Sequence, residues 1–249
     1  MKKLESKIAV ITGGNSGIGF ATAKRYVEEG AHVYITGRRQ KELDHAIQSL
    51  GKNATAVRGD VTINADLDLL YEQIRHERGR VDIVFANAGV GDPVPFEQVS
   101  ESFFDSIFDV NVRGLFFTVQ KALPLMPDGS STILCGSSAA TKGIPGGSVY
   151  VASKAALRGF ARCWSVELQQ RKIRANVLTV GPTDTPMMLN NGLPEDQIPA
   201  IKAMFATQLL TGEFADPDEI AKAAVFLASS DSKLIIGAEI SVDGGHAQL

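Results

Sequence analysis

A doubly wound α/β fold with a parallel sheet is predicted by three features of the 249-residue sequence. Short β-branched runs alternate with helical patterns, the runs are apolar on both faces, and a glycine-rich turn links the first run to the first helical pattern. Strands separated by helices of this length form right-handed βαβ units. Strands apolar on both faces belong to a sheet that is covered on both sides. With 44% apolar and 21% charged residues and no linker or internal repeat, residues 1–249 are expected to form a single domain.

The elements follow in order. KIAVIT reads as the first strand, with a helix from about Gly17 to Gly30; HVYITG reads as the second, with a helix from Gln40 to Leu50. TAVRGD precedes a helix near Ala65 to Arg78, and VDIVFANAG precedes one from Ser100 to Leu125. STILCGS, a helix from Ser148 to Arg171, the strand IRANVLTV, a helix from Pro217 to Ser229 and a strand near IIGAEISV complete seven strands. Two irregular stretches, TKGIPGG at 141–147 and GPTDTPMMLNNGLPEDQIP at 181–199, follow the carboxyl ends of strands. Open parallel sheets bind ligands there.

Composition narrows the function. A net charge of -3 gives no global reason to bind nucleic acid or an anionic membrane surface. The apolar stretch from Ile8 to Ile11 is too short for a signal segment or a membrane span, so a cytoplasmic protein is expected. Cys135 and Cys163 have no CxxC spacing and read as reduced, buried, packing thiols. His32, His45, His76 and His246 are scattered without metal-ligand spacing, so no metal site is expected.

The turn TGGNSGIG places Gly13, Gly17 and Gly19 between the first strand and the first helix. Glycines there allow a tight exit, close approach of backbone to a pyrophosphate, and close helix packing, while the helix N-terminus faces the phosphates. After the second strand, where an acid commonly holds the adenosine ribose, the chain reads Gly37-Arg38-Arg39. Guanidinium groups bind a 2'-phosphate and a carboxylate repels it, so NADP(H) is expected over NAD(H). In SVYVASKAA, Tyr150 and Lys154 stand four apart and share one helix face. An ammonium held beside a phenol favours the phenolate, which suits acid or base work.

Together, Thr12-Gly13-x-x-x-Gly17-x-Gly19, Asp60, Asn87-Ala88-Gly89, Asn111, Ser137, Tyr150-x-x-x-Lys154 and VDGG at 242–245 resemble the short-chain dehydrogenase/reductase family over nearly the whole chain. The chain is most similar to bacterial NADP-dependent secondary alcohol dehydrogenases and ketoreductases. The resemblance implies a Rossmann-type sheet, usually in a homotetramer. It also implies that Tyr150 supplies a proton to a carbonyl oxygen and that Ser137, thirteen residues earlier, gives a second hydrogen bond, with Ser138 the lesser candidate. Lys154 would hold the nicotinamide ribose, and Asn111 would support Lys154 through a water. For the cofactor, Asn15, Ser16 and Ile18 would join the glycine turn, Asp60 and Val61 would contact the adenine, Asn87 would lie beneath the adenosine ribose, and Ala88 and Gly89 would follow it, Gly89 leaving space for the cofactor. Gly181 and Thr183 would approach the carboxamide or pyrophosphate. Ala86 and Val180 depart from the usual asparagine and proline.

Met187, Met188, Leu189, Ile198, Met204 and Phe205, with Gly146 and Gly147 beside Tyr150, suggest an apolar, bulky carbonyl or alcohol substrate. Lys142 and Lys202 are the nearest cations, too few to favour a phosphorylated or acyl-carrier substrate. Acyl-carrier-protein ketoreductase, sugar dehydrogenase and a non-catalytic NADP(H) sensor are the alternatives. Ala152, Ala155 and Ala156 are expected to let their helix pack closely against the sheet or a partner subunit.

Overall fold

Strands β1 (Ile8–Thr12), β2 (His32–Gly37), β3 (Ala54–Arg58), β4 (Ile83–Ala86), β5 (Ser131–Ser137), β6 (Arg174–Val180) and β7 (Glu239–Val242) form one parallel sheet, ordered β3-β2-β1-β4-β5-β6-β7. The computed structural model describes residues 2–187, 195–207 and 209–247. The helices are α1 (Gly17–Glu28), α2 (Gln40–Leu50), α3 (Asn64–Glu77), α4 (Glu101–Phe108), α5 (Leu115–Ala122), α6 (Ser148–Glu167), α7 (Ile198–Ala206) and α8 (Pro217–Ala228). The strand order reverses between β1 and β4, which opens a crevice at their carboxyl ends.

The two-residue period of a strand divides the core. Ala9 and Ile11 join Val33, Ile35, Ala23, Tyr26, Leu43 and Ile220 under α1, α2 and α8. Ile8 and Val10 join Tyr34, Val84, Leu70, Ile74, Val119 and Leu157 under α3, α5 and α6. Burial on both faces is why these strands show no polar alternation. Asp216 starts α8 by accepting from the Asp218 amide at 2.8 Å, with Pro217 in the first turn. Ser100 caps α4 by accepting from the Phe103 amide at 3.1 Å.

Several expectations need correction. The helix from Ser100 to Leu125 is interrupted by a π-helical turn at Asp109–Gly114 and ends in a 3-10 turn at Leu123–Leu125. α6 stops at Glu167, with a 3-10 turn following it. Cys135 is buried but Cys163 is exposed on the outer side of α6. Ala152 and Ala155 are exposed and Ala156 is half-buried, so of the two alternatives, sheet or partner subunit, the sheet does not hold for the first two. The sheet side of α6 is instead formed by Ser153, Lys154, Leu157, Ala161 and Trp164.

Candidate active site

The crevice between β1 and β4 is tied together by Thr12 at the end of β1. Its hydroxyl accepts from the Asn87 and Ala88 amides at 3.0 Å each, and its carbonyl accepts from the Asn87 side-chain amide at 2.9 Å. Asn87 therefore anchors the loop after β4 to the glycine turn. Gly13 takes φ 65°, and a Cβ on Gly19 would collide with the Gly13 carbonyl. Ser16 precedes α1 in extended conformation without a side-chain cap, and the first turn carries no acid. The first amides of α1 are left to an anion, which fits the pyrophosphate of a dinucleotide. The Ile18 side chain packs into the core, so that only its backbone belongs to the turn.

Asn15 lies against Gly37 at the end of β2. Beyond it, Arg38 and Arg39 are exposed; Arg39 pairs with Glu42 at 3.4 Å, and the Arg38 carbonyl accepts from Arg58 Nε at 3.1 Å. Arg58 brings a third guanidinium to this end of the sheet. It arrives through the pairing of Gly37 with Arg58 across β2 and β3, a register that no local spacing reveals. Asp60 accepts from the Thr62 amide and hydroxyl at 2.9 Å each. Val61 is buried against Gly114 of the π-helical turn.

That turn places Asn111, which is fully buried. Its Oδ1 accepts from the Val90 amide at 2.9 Å, and its Nδ2 donates to the Val90 carbonyl at 2.8 Å and to Ser153 Oγ at 3.0 Å. An α-helix widened by one residue is a common way to set such a group. Lys154, 5% exposed, donates to the Cys135 carbonyl at 2.9 Å, two residues before Ser137, and lies 6.0 Å from the Tyr150 ring centroid. Burial pushes the Cys135 thiol above its ordinary range despite Lys154 nearby, leaving a neutral packing group whose carbonyl orients the lysine. A Cβ on Gly89 would lie 3.1 Å from Lys154 Nζ and 3.3 Å from Asn111 Oδ1, so the two side chains meet around that glycine. A Cβ on Gly91 would collide with the Tyr150 ring.

Ser137 ends β5 with its oxygen accepting from the Ala139 amide at 3.2 Å, which leaves its proton free to donate. Ser138 instead pairs with His246 at 2.9 Å. The structure thus brings Asn111, Tyr150 and Lys154 together at the carboxyl ends of β4 and β5, with Ser137 at the tip of β5. An ammonium and a phenol 6.0 Å apart, with a hydroxyl at the tip of the adjoining strand, are groups able to hold a carbonyl oxygen and exchange a proton with it.

The loop after β6 crosses to the glycine turn. Gly181 packs on Asp243, and the Thr183 hydroxyl donates to the Gly181 carbonyl at 2.8 Å. Thr185, which no motif in the sequence marks, lies against Gly17, where a Cβ would be 3.2 Å from its Cγ2. Met188 and Leu189 lie outside the described residues. Lys202 on α7 pairs with Asp184 at 2.5 Å, and Phe205 meets Phe214 edge-on. A cavity of about 360 Å³ is lined by Phe96, Lys142, Ile144, Pro145, Gly146 and Val151, the last directly after Tyr150. Among the described residues, no helix is long and apolar enough to cross a membrane and no cluster of three or more His, Cys, Asp or Glu could hold a metal ion.

Comparison with known proteins agrees with this architecture. A family model described as Enoyl-(Acyl carrier protein) reductase matches residues 13–247. Oxidoreductase asL5 of Sarocladium schorii is 48% identical over 251 residues, covering 100% of this chain and 99% of its own. A 3alpha-hydroxysteroid dehydrogenase of Mediterraneibacter gnavus is 34% identical over 248 residues, covering 97% of each chain. Among solved structures, a Serratia marcescens short-chain dehydrogenase/reductase with two phenylalanines changed to leucine superposes with a TM-score of 0.91 at 30% identity, covering 98% of this chain and 99% of that one. A Brucella melitensis 3-ketoacyl-(acyl-carrier-protein) reductase complexed with NADH gives 0.90 at 31% identity, with the same coverage.

Proposed function

The chain belongs to the short-chain dehydrogenase/reductase family, and from that premise we propose that it is an NADP(H)-dependent oxidoreductase interconverting apolar, bulky ketones and secondary alcohols. The observation that carries the reading is the grouping of Tyr150, Lys154 and Asn111 around Gly89 and Gly91, beside the tip of β5 that bears Ser137. The nicotinamide supplies or accepts the hydride. Tyr150 gives its phenolic proton to the carbonyl oxygen during reduction and takes it back during oxidation. Ser137 donates a second hydrogen bond to that oxygen as its negative charge grows. Lys154, aimed by the Cys135 carbonyl, holds the nicotinamide ribose and faces the phenol. Asn111 keeps the loop at Val90 and the Ser153 turn of α6 in register, so that Gly89 stays open beside Lys154.

The preference for the phosphorylated cofactor is supported by Arg38, which pairs with no carboxylate among the described residues, by Arg39 and Arg58 beside it, and by glycine rather than an acid at the end of β2. Gly13 to Gly19, Asn15, Asp60, Val61, Asn87 and Ala88 form the rest of that binding surface. Gly181 and Thr183 border it from the loop after β6, and Thr185 joins them because it lies against Gly17 of the glycine turn. The apolar substrate is supported by the Phe96, Ile144, Pro145 and Val151 lining and by the pairing of Lys202 with Asp184. The exposed Ala152, Ala155 and Cys163 face of α6 fits the close subunit contact of a cytoplasmic homotetramer. The matching family model makes an acyl thioester the second substrate reading.

The test is NADPH and NADH oxidation with a panel of aliphatic, aryl and diketone compounds, an aldose and an acyl thioester. Bulky apolar ketones with NADPH are expected to give the highest kcat/KM. Preference for the thioester would shift the substrate to the second reading, and no turnover with tight NADPH binding would make the protein a cofactor sensor.

A further inference from the structure

β7 runs into a turn, residues 243–247, that touches the loop after β6, the segment beyond α7 and the turn after β5. Asp243, 7% exposed, closes the turn by accepting from the Gly245 amide through Oδ1 and from the Ala247 amide through Oδ2, each at 3.0 Å. Gly244 and Gly245 take φ 60° and 82°, which lets the chain reverse there. On one side, Gly181 packs so closely that a Cβ would lie 2.5 Å from Asp243 Cα. On another, Gly244 lies against Thr211, beyond α7. On the third, His246 Nδ1 meets Ser138 Oγ at 2.9 Å across 108 residues of sequence.

Ser138 is 3% exposed and opens the 3-10 turn Ser138–Thr141. Its carbonyl accepts from the Thr141 hydroxyl at 2.9 Å, and the Ala139 amide in the same turn donates to Ser137 Oγ at 3.2 Å. The hydroxyl assigned to the carbonyl oxygen and the hydroxyl that meets His246 are thus neighbours in one small turn. β5 fixes that turn on its strand side, and His246 ties it on the other.

Two charged groups act on the ring: Lys142, on the loop after the 3-10 turn, and Asp243, within its own turn. Burial, with Lys142, holds His246 below the ordinary histidine range, while Asp243 acts in the opposite sense. A neutral imidazole offers one donor and one acceptor, and the Ser138 hydroxyl can rotate to match either.

We propose that His246 is a positioning residue for the reaction, holding through Ser138 the turn that aims the Ser137 hydroxyl. The proposal rests on the reading of Ser137 as the second hydrogen-bond donor to the carbonyl oxygen. Small displacements of such a donor are costly, because its hydrogen bond must be aimed before charge develops. The geometry of residues 243–247 couples it further to Gly181, so one contact joins the serine turn to the start of the loop after β6.

The experiment compares wild type, His246→Ala, Ser138→Ala and the double variant, using NADPH and the best ketone of the panel. Each single change is expected to lower kcat about 10-fold, with NADPH affinity kept, and the double variant to lose no more than the singles. His246→Asn, which retains a polar group in place of the ring nitrogen, is expected to recover part of the loss and serves if the alanine variant does not fold. Wild-type kcat in the single variants, or losses that multiply in the double, would overturn the proposal. Amide hydrogen exchange at Ala139 is a readout independent of turnover. His246→Ala is expected to speed it about 10-fold, and unchanged exchange would also overturn the proposal. Tyr150→Phe in the same series separates the two readings, since full turnover there defeats the catalytic assignment and leaves the exchange result to decide the role of His246.

Discussion

Arg38 lies just beyond Gly37, the position where an acid commonly sits, and its carbonyl accepts from the Arg58 guanidinium at 3.1 Å. Arg38→Asp exchanges a charge-assisted donor for a repelling charge. The expected result is a fall of roughly 10- to 100-fold in kcat/KM for NADPH with little change for NADH, read from initial rates with both cofactors. Equal losses for the two would remove Arg38 from phosphate recognition. Tyr150, Lys154, Asn111 and Ser137 were legible in the sequence because each sits at a fixed distance from a neighbour within a recognisable pattern. Arg58 was not, because strand register brings it to Gly37. The Cys135 carbonyl that holds Lys154 was hidden for another reason: backbone groups carry no residue identity. His246 was visible only as one of four scattered histidines, since its partner lies 108 residues away.

At the scale of elements, all seven strands were readable from apolar runs, and helix ends shifted by a few residues where 3-10 turns take over. The π-helical turn at Asp109–Gly114 was not readable, because DVNVRG has the same polar and apolar rhythm as a plain helix. Its physical signature is Asn111, whose side chain satisfies both backbone groups of Val90. Asn111→Ala would leave the half-buried Val90 amide and carbonyl without their side-chain partner, at a cost of roughly 2–3 kcal/mol. For a domain of this size, a fall in Tm of about 5–10 °C is expected in calorimetry. An unchanged Tm would show that water replaces the side chain without loss. For the α6 alanines the sequence leaves sheet and partner subunit open, because small residues suit either contact; exposure of Ala152 and Ala155 removes the sheet alternative for those two.

Across the whole molecule, α1 and α8 close one face of the sheet and are tied by Tyr26, which donates to the Ala224 carbonyl at 3.2 Å, and by two bonds of 2.5 Å from Arg25 to Asp218. Hydrogen bonds from Arg25 hold the Asp218 carboxyl below the usual range. A depressed carboxylate contributes stability above its unfolded pKa, and that contribution is lost as the pH falls through its folded pKa, a window below about pH 4. Asp218→Asn should therefore lower Tm at neutral pH and flatten its acid decline. The effect should shrink in high salt, because both side chains are 36% exposed. An acid decline identical to that of wild type would exclude the pair as a contributor.

The central claim, that this crevice transfers a hydride to a carbonyl with Tyr150 as proton donor, is tested most directly by the rate of NADPH oxidation with the best ketone in wild type and Tyr150→Phe, beside NADPH affinity measured by fluorescence. The expected result is a loss of about 10²- to 10⁴-fold in kcat with affinity held within about twofold. A Tyr150→Phe enzyme turning over at the wild-type rate would contradict it.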